Sequence, residues 1–181
     1  SNKNVGTAKV VICGKGVYTN SLTKTFTIRP ETMASAVITG CKAKYSYTGK
    51  QVKPLIQVVW NGKILRNNTD YTLLYKNNKK RGSAGIVVTG KGNYSGTLAA
   101  SFTIVRASVK KASVTGLKAV YARTGKAVKP KVTVKLGGKK LKKKRDYILS
   151  YRKNKKKGTA LLYVKGVGNY SGTKKMKFKI R

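Results

Sequence analysis

The sequence has no histidine and only three acidic residues, Glu31, Asp70 and Asp146, against 42 lysines and arginines. That shortage excludes most catalytic chemistry at the outset. General acid–base work needs two titratable groups within reach of one substrate. Glu31 is solitary, and Asp70 and Asp146 hold the same place in two copies of a repeat set out below. The only cysteines, Cys13 and Cys41, have no histidine to activate them as nucleophiles. With no histidine cluster and no Asp-rich loop, neither a metal nor a cofactor is expected. No run approaches the roughly 18 apolar residues of a membrane-spanning helix. Nor does an apolar i, i+3, i+4, i+7 pattern persist anywhere, so almost no helix is expected.

What the sequence does have is internal repetition. GNYSGT stands at Gly92–Thr97 and again at Gly168–Thr173, 76 residues on. The same shift places Thr48-Gly49-Lys50 on Thr124-Gly125-Lys126, Val52-Lys53-Pro54 on Val128-Lys129-Pro130, and Asp70-Tyr71 on Asp146-Tyr147. Phe102 and Ile104 fall on Phe178 and Ile180, while Phe26 and Ile28 fall on Phe102 and Ile104. A fixed period is the signature of a repeat architecture. The chain is therefore read as the back half of one repeat (1–30) and two full repeats (31–106 and 107–181), part of a longer polypeptide, with neighbouring repeats in contact.

Strand signals fill each repeat. Val132, Val134 and Leu136 alternate with polar residues, as do Ile56, Val58 and Trp60 before them. Ala160, Leu162 and Val164 match Ala84, Ile86 and Val88, and Met176, Phe178 and Ile180 match Ala100, Phe102 and Ile104. A period of two gives each strand one buried and one wet face. Short strands broken by Gly, Asn and Pro predict an all-β chain of small antiparallel sandwich repeats in an elongated array. Gly-Asn-Tyr-Ser-Gly lies between two strands and opens no helix, which excludes a phosphate-binding P-loop. It reads as a turn, with Tyr94 and Tyr170 folding back onto the core edge. A sugar-binding role for these tyrosines is the alternative.

The succession Thr-Gly-Lys-x-Val-Lys-Pro, Asp-Tyr, Gly-x-Gly-Asn-Tyr-Ser-Gly-Thr and Phe-x-Ile resembles a family of bacterial Ig-like surface repeats, found in tandem near the C-terminal ends of large exported proteins, often of Gram-positive gut bacteria. The resemblance implies an extracellular stalk or adhesion module on the bacterial cell surface. It assigns no ligand site. Such repeats ordinarily carry a fair number of acidic residues, and this chain departs from them there.

The charge is also unevenly spread. Residues 1–30 carry five basic residues and no acid; residues 31–106 carry twelve and two, a net of +10; residues 107–181 carry twenty-five and one, a net of +24. Outward Ala99, Ser101 and Thr103 become Lys175, Lys177 and Lys179, and Asn67-Asn68-Thr69 becomes Lys143-Lys144-Arg145. Inward positions stay apolar. Like charges packed on a small domain repel one another, and solubility needs a net charge of only about 2–8. The candidate binding residues are therefore Lys139, Lys140, Lys142, Lys143, Lys144 and Arg145 in one run, Arg152, Lys153, Lys155, Lys156 and Lys157 in a second, and the strand lysines 175, 177 and 179. Lysines number 34 and arginines eight. Lysine is a point charge, and arginine the bidentate reader of phosphate, so the expected partner is an anionic polymer gripped without sequence preference. Teichoic acid is the first expectation, docking a larger exported protein on its own cell wall. A sulfated or sialylated host glycan such as mucin is second, and non-specific nucleic acid third. Cys13 and Cys41 leave a disulfide open, against a reading of Cys41 as a plain buried thiol.

Overall fold

The computed structural model describes residues 2–181. Among them the chain is almost wholly β, with one 3₁₀ turn at Val109–Lys111 and no α-helix. In chain order the strands are β1 (Gly6–Cys13), β2 (Ser21–Ile28), β3 (Glu31–Thr32), β4 (Val37–Thr39), β5 (Lys44–Ser46), β6 (Gln57–Trp60), β7 (Lys63–Leu65), β8 (Tyr71–Lys76), β9 (Gly82–Gly90) and β10 (Tyr94–Ser95). There follow β11 (Thr97–Val105), β12 (Ala107–Ser108), β13 (Ser113–Thr115), β14 (Val120–Tyr121), β15 (Thr133–Leu136), β16 (Lys139–Lys140), β17 (Tyr147–Arg152), β18 (Gly158–Gly166), β19 (Tyr170–Ser171) and β20 (Thr173–Ile180).

Two compact units can be distinguished. The first comprises residues up to Ala43, Lys53–Asn78 and Ser83–Phe102; the second comprises Lys44–Val52, Lys79–Gly82 and Thr103–Arg181. The first holds the β1–β2 hairpin and an antiparallel β4-β6-β7 sheet. In it β8 lies antiparallel to β9, with Tyr71 opposite Gly90. The second holds the antiparallel β13-β15-β16 sheet and a four-stranded sheet in the order β14-β20-β18-β17.

The alternation anticipated in the sequence is what builds the second unit's core. Ala160, Leu162 and Val164 of β18 and Phe178 and Ile180 of β20 turn one way and are buried, together with Val134, Leu141, Tyr147 and Tyr170. Burying a Leu, Val or Phe side chain contributes about 1.5–3 kcal/mol each. Lys175, Lys177 and Lys179 turn the other way and are exposed. Both three- and four-stranded sheets feed this one core, an arrangement consistent with a β-sandwich.

The simple antiparallel expectation is incomplete. β5 joins β11 in parallel and β14 joins β20 in parallel, as do the two-residue pairs β3–β10 and β12–β19. Side-chain alternation fixes which face a residue takes but not the direction of its neighbour.

The repeated turn proves to be a closed loop. Gly90 donates to the Gly96 carbonyl and Gly166 to the Gly172 carbonyl, both at 2.9 Å. A Cβ on Gly166 would meet the Ser171 nitrogen at 2.7 Å, and one on Gly90 the Ser95 nitrogen at 2.8 Å, so the backbone approach requires glycine. Tyr94 and Tyr170 are 8% and 3% exposed. Rings so deeply buried serve the core, in keeping with a turn tyrosine folded back onto it. A second device also recurs: the Tyr75 and Tyr151 hydroxyls donate to the carbonyls of Pro54 and Pro130, at 2.6 and 2.8 Å.

Candidate basic surface

The Lys139–Arg145 run is shaped by two buried residues. Leu141 is 3% exposed and its N–H donates to the Val134 carbonyl at 2.9 Å, fixing the middle of the run to the core. Asp146, 4% exposed, accepts from the Lys142 N–H at 2.8 Å and from the Arg145 guanidinium at both carboxylate oxygens, 2.9 Å each. The Arg145 hydrogen bonds outweigh burial and hold the Asp146 carboxyl below its ordinary range; the Lys142 backbone bond acts in the same direction. With the loop so anchored, Lys139, Lys140, Lys142, Lys143 and Lys144 all face solvent. Arg145 is exposed too, but its charge is spent on Asp146.

The second run is pinned by Asn154. Its side-chain amide donates to the Val128 carbonyl at 2.9 Å, and its own carbonyl accepts from the Val128 N–H at 2.7 Å. Lys153, Lys155, Lys156 and Lys157 ride on this fixed point around a cleft of about 500 Å³. Arg152 lies 5.8 Å from the Tyr163 ring centre, within cation–π range. The two runs stand at opposite ends of β17.

Between them in the same sheet, Lys175, Lys177 and Lys179 lie opposite Tyr163, Leu161 and Thr159 of β18. Alternate residues of a strand are spaced by about 7 Å, so these lysines form a straight row of charge. Lys174, on the other face, is half-buried and donates to the Ala112 carbonyl at 2.6 Å. All fourteen candidate cations are thus exposed, and among the described residues thirteen of them lie outside any carboxylate pair.

Backbone conformation adds a fact that the sequence did not disclose. Asn68 and Asn77 have φ of 67° and 53°; Lys144 and Lys153, which stand 76 residues later, have φ of 71° and 55°. Asparagine tolerates this left-handed region, whereas lysine gains nothing from it and pays about 1 kcal/mol. Lysine therefore sits where the backbone favours asparagine.

Sequence reading also missed a set of residues beside the first run. Tyr47, Arg81, Lys139, Arg145 and Tyr170 line a cavity of about 450 Å³. Lys139 is 5.9 Å from the Tyr47 ring centre, and Arg81 donates weakly to the Gly168 carbonyl at 3.4 Å. Lys79-Lys80-Arg81 was legible as a short run, but counting charge repeat by repeat hid its place in the second unit.

No family model matches this chain. Nor does any curated protein or solved structure match it.

Proposed function

We propose that this chain is a non-catalytic, surface-exposed array of Ig-like repeats that binds an anionic polymer electrostatically, and that the polymer is the teichoic acid of a bacterial wall, on which the array docks a larger exported protein. Strand boundaries support the repeat: β8, β9 and β10 begin at Tyr71, Gly82 and Tyr94, and β17, β18 and β19 at Tyr147, Gly158 and Tyr170, each 76 residues later.

One observation carries the binding reading: lysine at the left-handed positions 144 and 153. A solvated surface that only had to stay soluble would keep asparagine there. Placing ammonium groups against both local backbone preference and mutual repulsion implies a partner that repays them. A row of strand lysines and two loop clusters around one small sheet offers no enclosed pocket, which suits a flexible polyanion. Lysine's dominance over arginine suits phosphates met as point charges.

The test is retention of the full chain on purified walls before and after teichoic acid is stripped, with heparin and duplex DNA as competitors. Binding that vanishes on stripping and elutes in moderate salt is expected. Undiminished retention on stripped walls, or displacement by heparin at far lower charge equivalents, overturns the assignment.

A further inference from the structure

The β1–β2 hairpin carries an apolar face that the rest of the chain keeps covered in its other two copies. β1 and β2 pair over their full length, from Gly6 opposite Ile28 to Cys13 opposite Ser21. Cross-strand partners share a face, which puts Ala8, Val10, Ile12, Leu22 and Phe26 on one side, with Lys24 among them. Thr7, Lys9, Thr23, Thr25 and Thr27 lie on the other, with Val11 as its one large apolar residue. The polar side is an ordinary wet face; on the apolar side Ala8 is buried, 3% exposed, but the larger side chains are not. Phe26 is 44% exposed, Val10 48%, Leu22 53% and Ile12 59%. For Phe26, Val10 and Ile12 the residues 76 positions on, Phe102, Ile86 and Val88, are 2%, 0% and 0% exposed, and those 152 positions on, Phe178, Leu162 and Val164, are 2%, 0% and 0%; Leu22 matches the half-buried Leu98 and Lys174. Backbone entry is alike in all three, with φ of 134°, 127° and 130° at Gly6, Gly82 and Gly158. The hairpin has the same backbone entry and apolar side chains at most of the matching inward positions, with Lys24 where the copies have Ala100 and Met176, and it lacks the cover.

The chain itself shows what the cover is. In the second unit the equivalents of the hairpin pack against Val134, Leu141 and Tyr147, with Leu149 and Tyr151 partly buried alongside. The edges are used as well: β17 adds antiparallel to β18 and β14 adds parallel to β20. Among the described residues both outer edges of the hairpin lack such neighbours. A two-stranded hairpin with one bare apolar face is marginal in water, and open edges are templates for an added strand.

We infer that the β1–β2 hairpin is an acceptor for a polypeptide segment of the type formed by residues 31–81. That segment would add a Tyr-x-Leu-x-Tyr strand, like Tyr71–Tyr75 or Tyr147–Tyr151, antiparallel to β1, and a short strand parallel to β2, and would lay its own apolar residues over Val10, Ile12, Leu22 and Phe26. A second copy of the same hairpin fits poorly. Lys24, opposite Val10 on the apolar face, would be brought toward its own symmetry mate, and two chains of net charge +39 repel. This inference is independent of the polyanion reading.

The test adds a peptide of residues 31–81 to the full chain and follows backbone hydrogen exchange in Gly6–Cys13 and Ser21–Ile28, with sedimentation for stoichiometry. A second arm tethers the same segment ahead of residue 1, which raises its effective concentration. Expected are a 1:1 complex and exchange slowed about tenfold or more along the hairpin in both arms. Ile12→Asp or Val10→Asp, on the apolar face, should weaken the peptide about tenfold or more, while Val11→Asp on the opposite face should leave it unchanged. Unaltered hairpin exchange in the tethered chain overturns the inference. So does a full chain that is already a dimer with a protected hairpin, or equal effects of Ile12→Asp and Val11→Asp.

Discussion

Arg145 grips Asp146 through two parallel hydrogen bonds of 2.9 Å, and Asp146 in turn accepts the Lys142 N–H at 2.8 Å. Asp70 repeats the backbone half of this arrangement, accepting the Arg66 N–H at 2.8 Å, with the Arg66 side chain at 3.4 Å. In a chain with three acidic side chains, these two aspartates are the natural acid-sensitive points of the fold.

Both aspartate carboxyls are held below their usual range. For Asp146 the Arg145 hydrogen bonds are the largest cause; for Asp70 burial pushes upward most strongly, and the Arg66 backbone and side-chain bonds together with its charge outweigh it. A carboxyl depressed in the folded state adds stability above its unfolded pKa, here near 3.8, and loses that contribution as pH falls through the folded value. Thermal melts should therefore be flat from pH 7 to about 5 and decline below about pH 4. Asp146→Asn should cost about 2 kcal/mol at pH 7, and a chain with both aspartates changed to asparagine should melt nearly independently of acid.

Lys144→Asn and Lys153→Asn should each raise stability by up to about 1 kcal/mol, because asparagine relieves the left-handed backbone and one repulsive charge is removed. Polymer binding should weaken at the same time. Chemical denaturation and retention on a teichoic-acid column measure the two effects; a loss of stability would refute the local conflict.

Gly166→Ala should destabilise the fold by about 1–3 kcal/mol through backbone overlap at Ser171. Gly125→Ala, whose Cβ would have no heavy atom within 4 Å but whose φ is +74°, should cost about 1 kcal/mol from conformation alone. Urea midpoints of the two variants distinguish the mechanisms.

Lys175→Ala, Lys177→Ser and Lys179→Thr transplant the outward residues of β11 onto β20. Stability should hold or rise. On duplex DNA, used as a calibrated polyanion, the slope of log affinity against log salt should fall by about 0.9 for each lysine engaged.

Both thiols are free in this fold. Cys13 is exposed and should react promptly with a disulfide reagent; Cys41 is half-buried, burial raises its pKa, and its smaller thiolate fraction should make it slower. A non-reducing thiol count of two checks this, and a count of zero would mean that they are joined.

Much of this architecture was legible because apolar alternation is a local, physical signal. Leu162, Val164 and Phe178 could be placed inside and Lys175, Lys177 and Lys179 outside from period two alone. Val132 and Leu136 were read inward with Val134, yet only Val134 is fully buried, since depth depends on what lies above a strand and not on its alternation. The parallel additions of β5 and β14 were not legible, because strand direction comes from topology. The fourteen candidate cations all lie on the surface. Pairing of Arg145 with its neighbour, and the positive φ beneath Lys144 and Lys153, are properties of a folded loop that residue types alone do not encode.

The scarcity of carboxylates and the absence of imidazole have a consequence for pH dependence. With no histidine and only three acidic side chains, the molecule has few groups whose charge ordinarily changes near neutral pH. The polyanion binding proposed above should therefore vary little with pH over that range. Detachment would fall to brine, to competing polycations, or to a protease that cuts after the exposed lysines of its two loops.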